Sequence, residues 1–168
     1  MALGDSTAQA IGASTRAGGY VPQLLARLPG WRVVNLSVSG ARVADVIDRQ
    51  VPELARLAPE LVTCAVGAND LLRTPEPAAA QGFRRLARAL PPGSVLANLP
   101  RGVRERRAVV LNAVIEAEAA AAGLRVADLW SHTGPPWTGR FSGDHFHPNE
   151  IGYAAWTDAF AAALGLPG

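Results

Sequence analysis

Two short segments, one near each end of the 168-residue chain, carry residues that could act together on a carbonyl group. Asp144 and His147 stand three residues apart, on a predicted loop before the last helix. A carboxylate can hold one ring nitrogen of a histidine and leave the other free to take a proton. Ser6, in Gly4-Asp5-Ser6-Thr7, needs such a base to become a nucleophile. The spacing predicts acyl transfer, with Ser6 as nucleophile, His147 as base and Asp144 orienting His147.

The oxyanion that forms in such a reaction needs fixed hydrogen-bond donors. Gly40 can offer a backbone N–H that no side chain shields, and Asn69 can offer its carboxamide N–H. The backbone N–H of Ser6 would be a third donor. We interpret Asp5 as a structural hydrogen-bond acceptor and Asp70 as a group that ties down its loop.

Two other histidines, His132 and His145, compete with His147 for the role of base. The distance from Asp144 and the following proline favour His147. Pro148 restricts His147 to an extended backbone and suits the first position of the next helix. A metal site at Asp144, His145 and His147 is disfavoured, because zinc usually has three or four protein ligands and no further Cys or paired His is evident. No metal is therefore predicted, and His145 could instead line the entrance of the site.

Several side chains near these blocks could contact a substrate. Four aromatic residues crowd the loop before the last helix, where they could form an acyl or sugar pocket or simply cover the sheet: Trp130, Trp137, Phe141 and Phe146. Arg42, two residues after Gly40, could favour an anionic substrate or pair with a carboxylate such as Asp45. The candidate substrate-binding residues are Arg42, Trp137, His145 and Phe146.

The elements that must position these residues alternate between strand-like and helix-like patterns. Apolar runs predict five strands, at residues 1–3, 32–36, 61–66, 94–99 and 124–129. Helical spacing predicts helices at 20–28, 43–57 with a break at Pro52, 78–90, 103–122 and 149–164, the last with Trp156 in the core. This alternation predicts parallel strands in a three-layer α/β/α sandwich, as a single domain over residues 1–168. The polar segments above follow the carboxyl ends of the strands, where open parallel sheets bind ligands.

The composition disfavours several other classes of protein. The net charge of +2 is small, and two arginine groups, 84–88 and 101–107, are interpreted as solvated helix faces, so no nucleic-acid partner is expected. The single cysteine, Cys64, excludes an intrachain disulfide and is expected to be an inert thiol in a buried strand. No apolar run is long enough to span a membrane and no signal peptide is evident, which favours the cytoplasm, although upstream residues could have been trimmed.

Four sequence blocks together resemble the SGNH hydrolase (GDSL esterase/lipase) superfamily in order and spacing. These blocks span nearly the whole chain and are Gly4-Asp5-Ser6, Asn35-x-x-x-Ser39-Gly40, Gly67-x-Asn69-Asp70 and Asp144-x-x-His147-Pro148. The resemblance implies a flavodoxin-like, five-stranded parallel sheet of order 2-1-3-4-5. It also implies a Ser6-His147-Asp144 triad, an oxyanion hole of Ser6, Gly40 and Asn69, and neither a metal nor an organic cofactor.

The chain departs from the pattern of this superfamily at two places. The glycine usually found a few residues past the serine is displaced, since Ala10 and then Gly12 follow Ser6. Arg42 also stands where a small hydroxyl residue is common.

The leading hypothesis is a serine hydrolase that cleaves a small-molecule carboxylic ester through an acyl-enzyme. A small-acyl or carbohydrate esterase is favoured, because the chain has no large lid-like insertion. Lysophospholipase or thioesterase activity, and acyl transfer to an acceptor other than water, are alternatives for the same site. A non-catalytic α/β binding module is disfavoured, since neither Gly-x-Gly-x-x-Gly nor a P-loop lysine is present. The sequence does not indicate an oligomeric state.

Overall fold

The computed structural model describes residues 1–167, in which four strands form one parallel sheet of order β1-β2-β3-β4. The strands are β1 (Ala2–Gly4), β2 (Thr63–Ala65), β3 (Val95–Ala97) and β4 (Arg125–Ala127). The helices are α1 (Tyr20–Ala26), α2 (Val43–Asp45), α3 (Pro52–Leu57), α4 (Ala68–Arg73), α5 (Glu76–Ala89), α6 (Glu105–Ala121), α7 (Leu129–His132) and α8 (Glu150–Leu164). A 3₁₀ turn at Arg16–Gly18 precedes α1, and a π-helical turn at Val46–Gln50 joins α2 to α3.

Helices cover both faces of the sheet, which confirms the predicted three-layer sandwich. Alternate strand residues point to opposite faces, so the two faces have separate hydrophobic cores. One core includes residues of α2, α3, α5 and α6, and the other includes residues of α1 and α8. The second face of the sheet presents small residues such as Ala65 and Ala97, which leave room for Tyr153, Trp156 and Phe160 of α8.

The structure has four strands rather than the predicted five. Residues 32–36 lie parallel to β1 at the sheet edge, but they pair with it through a single bridge between Asn35 and Ala2. The ladder is interrupted at Gly4, because its N–H donates to the side-chain oxygen of Gln50 at 2.8 Å, while the Gly4 carbonyl still accepts a hydrogen bond from the Val38 N–H at 3.1 Å. The same carboxamide donates to the Gly4 carbonyl at 2.9 Å. The five-strand form of the order 2-1-3-4-5 is therefore not confirmed, although the edge segment lies beside β1.

Most predicted helices are present with shifted ends, and Pro52 begins α3 as predicted. Helix α8 begins at Glu150 because the side chain of Asn149 caps it, accepting hydrogen bonds from two backbone N–H groups. Pro148 therefore precedes the cap, and its predicted place at the first helical position is wrong. The short helices α4 and α7 were not predicted, and Asp70 lies in the first turn of α4 rather than in a loop.

The interpretation of the arginine groups as solvated helix faces is only partly correct. Arg84 and Arg88 lie on α5 and pair with Glu118 at 3.6 and 3.2 Å. Arg101 precedes α6, and its guanidinium stacks 4.9 Å from the ring centroid of Trp130. The guanidinium group of Arg107 donates hydrogen bonds to backbone carbonyls at the end of α4. A local sequence pattern does not show these partners, which come from distant elements.

Cys64 lies in the middle of β2 and is fully buried, as the sequence predicts. Burial raises the pKa of its thiol, which therefore stays protonated. Within residues 1–167, no helix is both long and apolar enough to cross a membrane.

Candidate active site

Ser6 lies on a tight turn at the carboxyl end of β1. The strand ends at Gly4, whose φ is +143°, and a Cβ there would approach the Ala65 carbonyl oxygen to 2.1 Å, so only glycine fits. The chain then folds back, because the Ser6 carbonyl accepts hydrogen bonds from the N–H groups of Gln9 and Ile11, both at 3.1 Å. Ser6 is buried within this turn, at 5% exposure.

Asp5 stabilises the same turn through two hydrogen bonds from Thr7. Its carboxylate accepts hydrogen bonds from the backbone N–H and the hydroxyl of Thr7, at 3.0 and 2.8 Å. Burial raises the pKa of the Asp5 carboxyl, and the two bonds from Thr7 partly oppose that effect. These contacts agree with the interpretation of Asp5 as a structural acceptor.

The structure brings Ser6, His147 and Asp144 together in one chain of hydrogen bonds. The Nε2 atom of His147 lies 2.9 Å from Ser6 Oγ, and its Nδ1 atom lies 2.6 Å from Asp144 Oδ2. The other carboxylate oxygen of Asp144 accepts bonds from the Ser142 hydroxyl and from the N–H groups of Phe146 and His147. These bonds, that of the His147 ring foremost, hold the pKa of Asp144 well below its usual range. The carboxylate is therefore ionised at neutral pH.

The loop that presents His147 is braced by its own backbone and by Asn149. The Ser142 N–H donates to the His147 carbonyl at 2.9 Å. The side chain of Asn149 donates to the Gly139 carbonyl at 2.9 Å, and its backbone N–H donates to the Arg140 carbonyl at 3.0 Å. Asn149 thus caps α8 and also holds the loop, so the imidazole projects from a fixed support.

Gly12, the glycine that is displaced from its usual place after the serine, lies where the loop after Ser6 contacts the loop that carries His147. Gly12 has a φ of +97°, and a Cβ there would lie 2.5 Å from the Pro148 carbonyl oxygen and 2.6 Å from His147 Cβ. The hydroxyl of Tyr153 in α8 donates to the Ile11 carbonyl at 2.5 Å. The loop after Ser6 is therefore docked on the start of α8. The sequence analysis noted this glycine but missed its contact with the base.

Asn69 and Asp70, in the first turn of α4, hold the loop that carries Gly40. The Asn69 carboxamide donates to the Ala41 carbonyl at 3.1 Å. Asp70 is buried and accepts a hydrogen bond from the Val43 N–H at 2.9 Å. Burial raises the pKa of Asp70, and the bond from Val43 lowers it in part. Asp70 therefore ties down the loop at Gly40 from within α4.

The three N–H groups predicted to bind an oxyanion each have a hydrogen available to donate. Within residues 1–167, the backbone N–H groups of Ser6 and Gly40 have no hydrogen-bond acceptor. Asn69 uses one of its two carboxamide hydrogens on Ala41, which leaves the second available. These are the three donors that the sequence analysis assigned to an oxyanion.

A small cavity of about 50 Å³ is lined by residues that are next in sequence to the site residues, although none of the triad residues lines it. Four of its lining residues are sequence neighbours of the site: Thr7, Ala68, Phe146 and Pro148. Trp137 and Phe141 also line it, with ring centroids 6.0 Å apart, and Trp156 closes it from α8. The ring of Phe146 meets that of His147 edge to face at 4.9 Å. Two of the four candidate substrate-binding residues, Trp137 and Phe146, therefore line the cavity.

The other two candidates, Arg42 and His145, do not line this cavity. Arg42 is exposed and lies 3.8 Å from Asp45, so the pairing interpretation is correct for it. His145 is exposed at the turn of its loop, where its φ of +55° is left-handed. Trp130, which sequence reasoning grouped with the pocket aromatics, instead stacks with Arg101.

Sequence reasoning missed two charged residues of the cavity wall, Arg101 and Arg140. Arg101 comes three residues after Asn98, at the carboxyl end of β3, and that position is the signal that could have identified it. Arg140 lies in the long loop before His147, where no pattern marks it.

The remaining histidine, His132, contacts a backbone carbonyl of its own helix. The Nδ1 atom of His132 lies 2.8 Å from the backbone carbonyl oxygen of Asp128, so this ring is engaged away from Ser6. In the described part of the chain, no three His, Cys, Asp or Glu side chains are grouped to hold a metal ion.

A serine, a histidine and a carboxylate in one hydrogen-bond chain, at the carboxyl end of a parallel α/β sheet, are the arrangement of a serine hydrolase. The model of the GDSL-like lipase/acylhydrolase family matches residues 2–155, so the chain belongs to that family and is an ester hydrolase. None of the curated protein sequences matches the chain.

Several solved structures share the fold over almost their whole length. The structure of TesA is 26% identical, with a TM-score of 0.81, and the match covers 97% of this chain and 96% of that one. The acetylxylan esterase Axe2 from Geobacillus stearothermophilus is 20% identical, with a TM-score of 0.82 and coverage of 99% and 93%. LAE5, an alpha/beta hydrolase from the metagenome of Lake Arreo, is 23% identical, with a TM-score of 0.79 and coverage of 98% and 93%. The likeness to Axe2 and LAE5 concerns the fold alone.

Proposed function

We propose that the chain cleaves carboxylic esters of short acyl groups through an acyl-enzyme on Ser6. The observation that carries this proposal is the contact of 2.9 Å between Ser6 Oγ and His147 Nε2, with Asp144 on the opposite ring nitrogen. Ser6 Oγ attacks the ester carbonyl carbon while its proton passes to His147 Nε2. The alcohol then leaves with that proton. Water, deprotonated by the same nitrogen, attacks the acyl-enzyme and releases the acid and free Ser6.

Asp144 supports both proton transfers. Its carboxylate holds the Nδ1 proton of His147, which leaves Nε2 free as the acceptor and stabilises the imidazolium that forms. The negative charge on the substrate oxygen would be bound by the free N–H groups of Ser6, Gly40 and Asn69. The side chain of Asn69 is already held by its hydrogen bond to the Ala41 carbonyl.

The size of the cavity supports a short acyl group. A volume of about 50 Å³ is small when compared with the roughly 150 Å³ of an engineered apolar cavity that binds benzene. The wall is rigid where Trp156 and Pro148 form it, because both residues are buried. Acetyl esters of carbohydrates belong to this class, since the alcohol part can stay outside the cavity.

Activity should depend on acyl length. Across p-nitrophenyl esters from acetate to decanoate, we expect kcat/KM to be highest at two to four carbons, because longer chains do not fit the cavity beside Phe146 and Trp156. Initial rates at fixed pH give this profile. An optimum at eight carbons or more would contradict the short-acyl proposal and favour a lipase or thioesterase activity.

The rate should fall on the acid side of neutrality. A protonated imidazole cannot take the Ser6 proton, and imidazoles usually gain a proton between about pH 5 and 8. Because the pKa of Asp144 is held well below its usual range, the carboxylate stays charged through this window and adds no second step. Log kcat/KM should therefore rise with pH with a slope of about one and then level off. A flat profile over this window would contradict the role of His147.

A further inference from the structure

Gln50 is a buried glutamine at the end of the π-helical turn Val46–Gln50, apart from the triad and from the predicted oxyanion donors. It is 3% exposed, and its carboxamide makes two hydrogen bonds to a single residue, Gly4. The Gly4 N–H donates to Gln50 Oε1 at 2.8 Å, and Gln50 Nε2 donates to the Gly4 carbonyl at 2.9 Å. Because a shift of Gly4 would break both bonds in a buried place, Gln50 holds the backbone of Gly4 in one orientation, two residues before Ser6.

The π-helical turn is the local feature that presents Gln50 to the strand. The Val51 N–H donates to the Val46 carbonyl at 3.0 Å, five residues back, whereas an α-helix joins residues four apart. Such a turn holds an extra residue, so it changes which side chains of a helix face the sheet. Val43 and Val46 of the same segment belong to the hydrophobic core. Gln50 is thus a polar side chain that this turn places against Gly4.

Gly4 joins the two segments that carry the backbone donors of the predicted oxyanion hole. Ser6 follows Gly4 on the tight turn at the end of β1. The Gly4 carbonyl also accepts a hydrogen bond from the Val38 N–H at 3.1 Å, two residues before Gly40. Gln50 belongs to the helical segment that follows the loop of Gly40. Its carboxamide therefore connects the turn of Ser6 to both sides of that loop.

We propose that Gln50 is a positioning residue for the hydrolytic reaction, which acts by holding Gly4 between the two backbone donors of the oxyanion hole. Through Gly4 it sets the direction and the spacing of the N–H groups of Ser6 and Gly40. An oxyanion is bound best when its donors converge, so a small error in their position weakens binding of the transition state more than binding of the substrate. This inference rests on the proposed ester hydrolysis at Ser6.

Replacing Gln50 by methionine removes both bonds and keeps a side chain of similar length. We expect kcat for p-nitrophenyl acetate to fall by roughly tenfold to a hundredfold, the effect of a small error of position, with little change in KM. A short alkylboronic acid adds to Ser6 Oγ and forms a tetrahedral adduct that resembles the transition state. Its inhibition constant should rise by a similar factor, which a loss of stability alone would not cause in a protein that remains folded.

Asn112→Leu is the matched control. Asn112 is 6% exposed, and its carboxamide likewise bonds both backbone groups of one residue beyond a strand end, Leu99, at 2.7 and 3.0 Å. Leu99 follows β3 and not β1, so this substitution removes the same pair of bonds away from Ser6. Both kcat and the inhibition constant of the boronic acid should stay close to their wild-type values. Thermal melts should show a lower melting temperature for this variant and for Gln50→Met.

Gln50→Glu is a second test that does not depend on the folding of the methionine variant. The introduced carboxyl group keeps an acceptor for the Gly4 N–H, and its neutral form can also donate to the Gly4 carbonyl. Burial raises the pKa of a carboxyl group, which loses that donor when it becomes charged. The ratio of kcat/KM in this variant to that in the wild type should therefore fall as the pH is raised from about 5 to 9. The same ratio for Asn112→Asp should stay constant, with circular dichroism at each pH as the check on folding.

Two results would overturn the role of Gln50 without affecting ester hydrolysis at Ser6. One is wild-type kcat and boronic-acid inhibition in folded Gln50→Met, or losses equal to those of Asn112→Leu. The other is a ratio for folded Gln50→Glu that does not change with pH. Absence of Ser6-dependent cleavage of every ester by the wild type would instead overturn the proposed function itself.

Discussion

Replacing Ser6 by alanine is expected to lower kcat for ester hydrolysis by roughly 10⁴-fold or more, in a protein that still folds. The hydroxyl supplies the atom that attacks the carbonyl, and among residues 1–167 it is the one hydroxyl that contacts His147 Nε2. The fold should tolerate the change, because alanine is smaller than serine and the only hydrogen bond that Ser6 Oγ makes within residues 1–167 is to His147. Initial rates with p-nitrophenyl acetate, with circular dichroism as the check on folding, measure the effect.

The matched control is Ser94→Ala. Ser94 is also a buried serine beside a strand, but it precedes β3 and donates to the Pro91 carbonyl at 2.6 Å, at the opposite end of the sheet. Removing the Ser94 hydroxyl should lower the free energy of unfolding and leave kcat unchanged. If the folded Ser6→Ala variant retained more than a few per cent of wild-type activity, the nucleophile would have to be another group.

Replacing Asn69 by alanine should lower kcat by roughly a hundredfold or more, because one oxyanion donor typically contributes about 2.7–4 kcal/mol. KM should change little, since the donor acts mainly on charge that develops in the transition state. The variant also loses the bond from Asn69 to the Ala41 carbonyl, so the loop at Gly40 is held less firmly. Steady-state kinetics with the short-acyl ester separate kcat from KM.

The control for Asn69 is Asn112→Ala. The carboxamide of Asn112 is equally buried and bonds both backbone groups of Leu99, at 2.7 and 3.0 Å, but it supplies no donor beside Ser6. Its loss should lower the melting temperature with a much smaller change in kcat. Near-normal kcat in Asn69→Ala would remove Asn69 from the proposed oxyanion hole. An equal loss of kcat in both variants would point to a general effect of destabilisation.

The contact between Ser6, His147 and Asp144 could be predicted from the sequence because these residues stand in short blocks, while their roles stay a prediction. Ser6, Asn69 and the pair Asp144 and His147 each follow a strand, and parallel strands bring their carboxyl ends to one edge. The spacing from Asp144 and the following Pro148 favoured His147, which contacts Ser6 at 2.9 Å. Residues in such short blocks can be identified from the sequence without knowledge of how the elements pack.

The features that were missed depend on contacts between distant parts of the chain. The predicted strand at residues 32–36 is reduced to one bridge. The reason is that Gln50, 46 residues after Gly4, accepts a hydrogen bond from the Gly4 backbone N–H. Pro148 was misplaced because the cap on Asn149 sets the start of α8. Arg101 appeared to belong to a solvated face, but its position is set by Trp130 of α7. A sequence pattern gives no distance between such residues, so only the fold identifies them.

Labelling with a fluorophosphonate tests most directly whether Ser6 is the activated nucleophile, because the reagent phosphonylates such a serine in place of the acyl group. The intact protein should gain the mass of one adduct, and peptide mapping should place that adduct on Ser6. Ser6→Ala should gain none, while Ser94→Ala should be labelled as the wild type is. An adduct on any other residue, or equal labelling of folded Ser6→Ala, would contradict the assignment of Ser6 as the nucleophile.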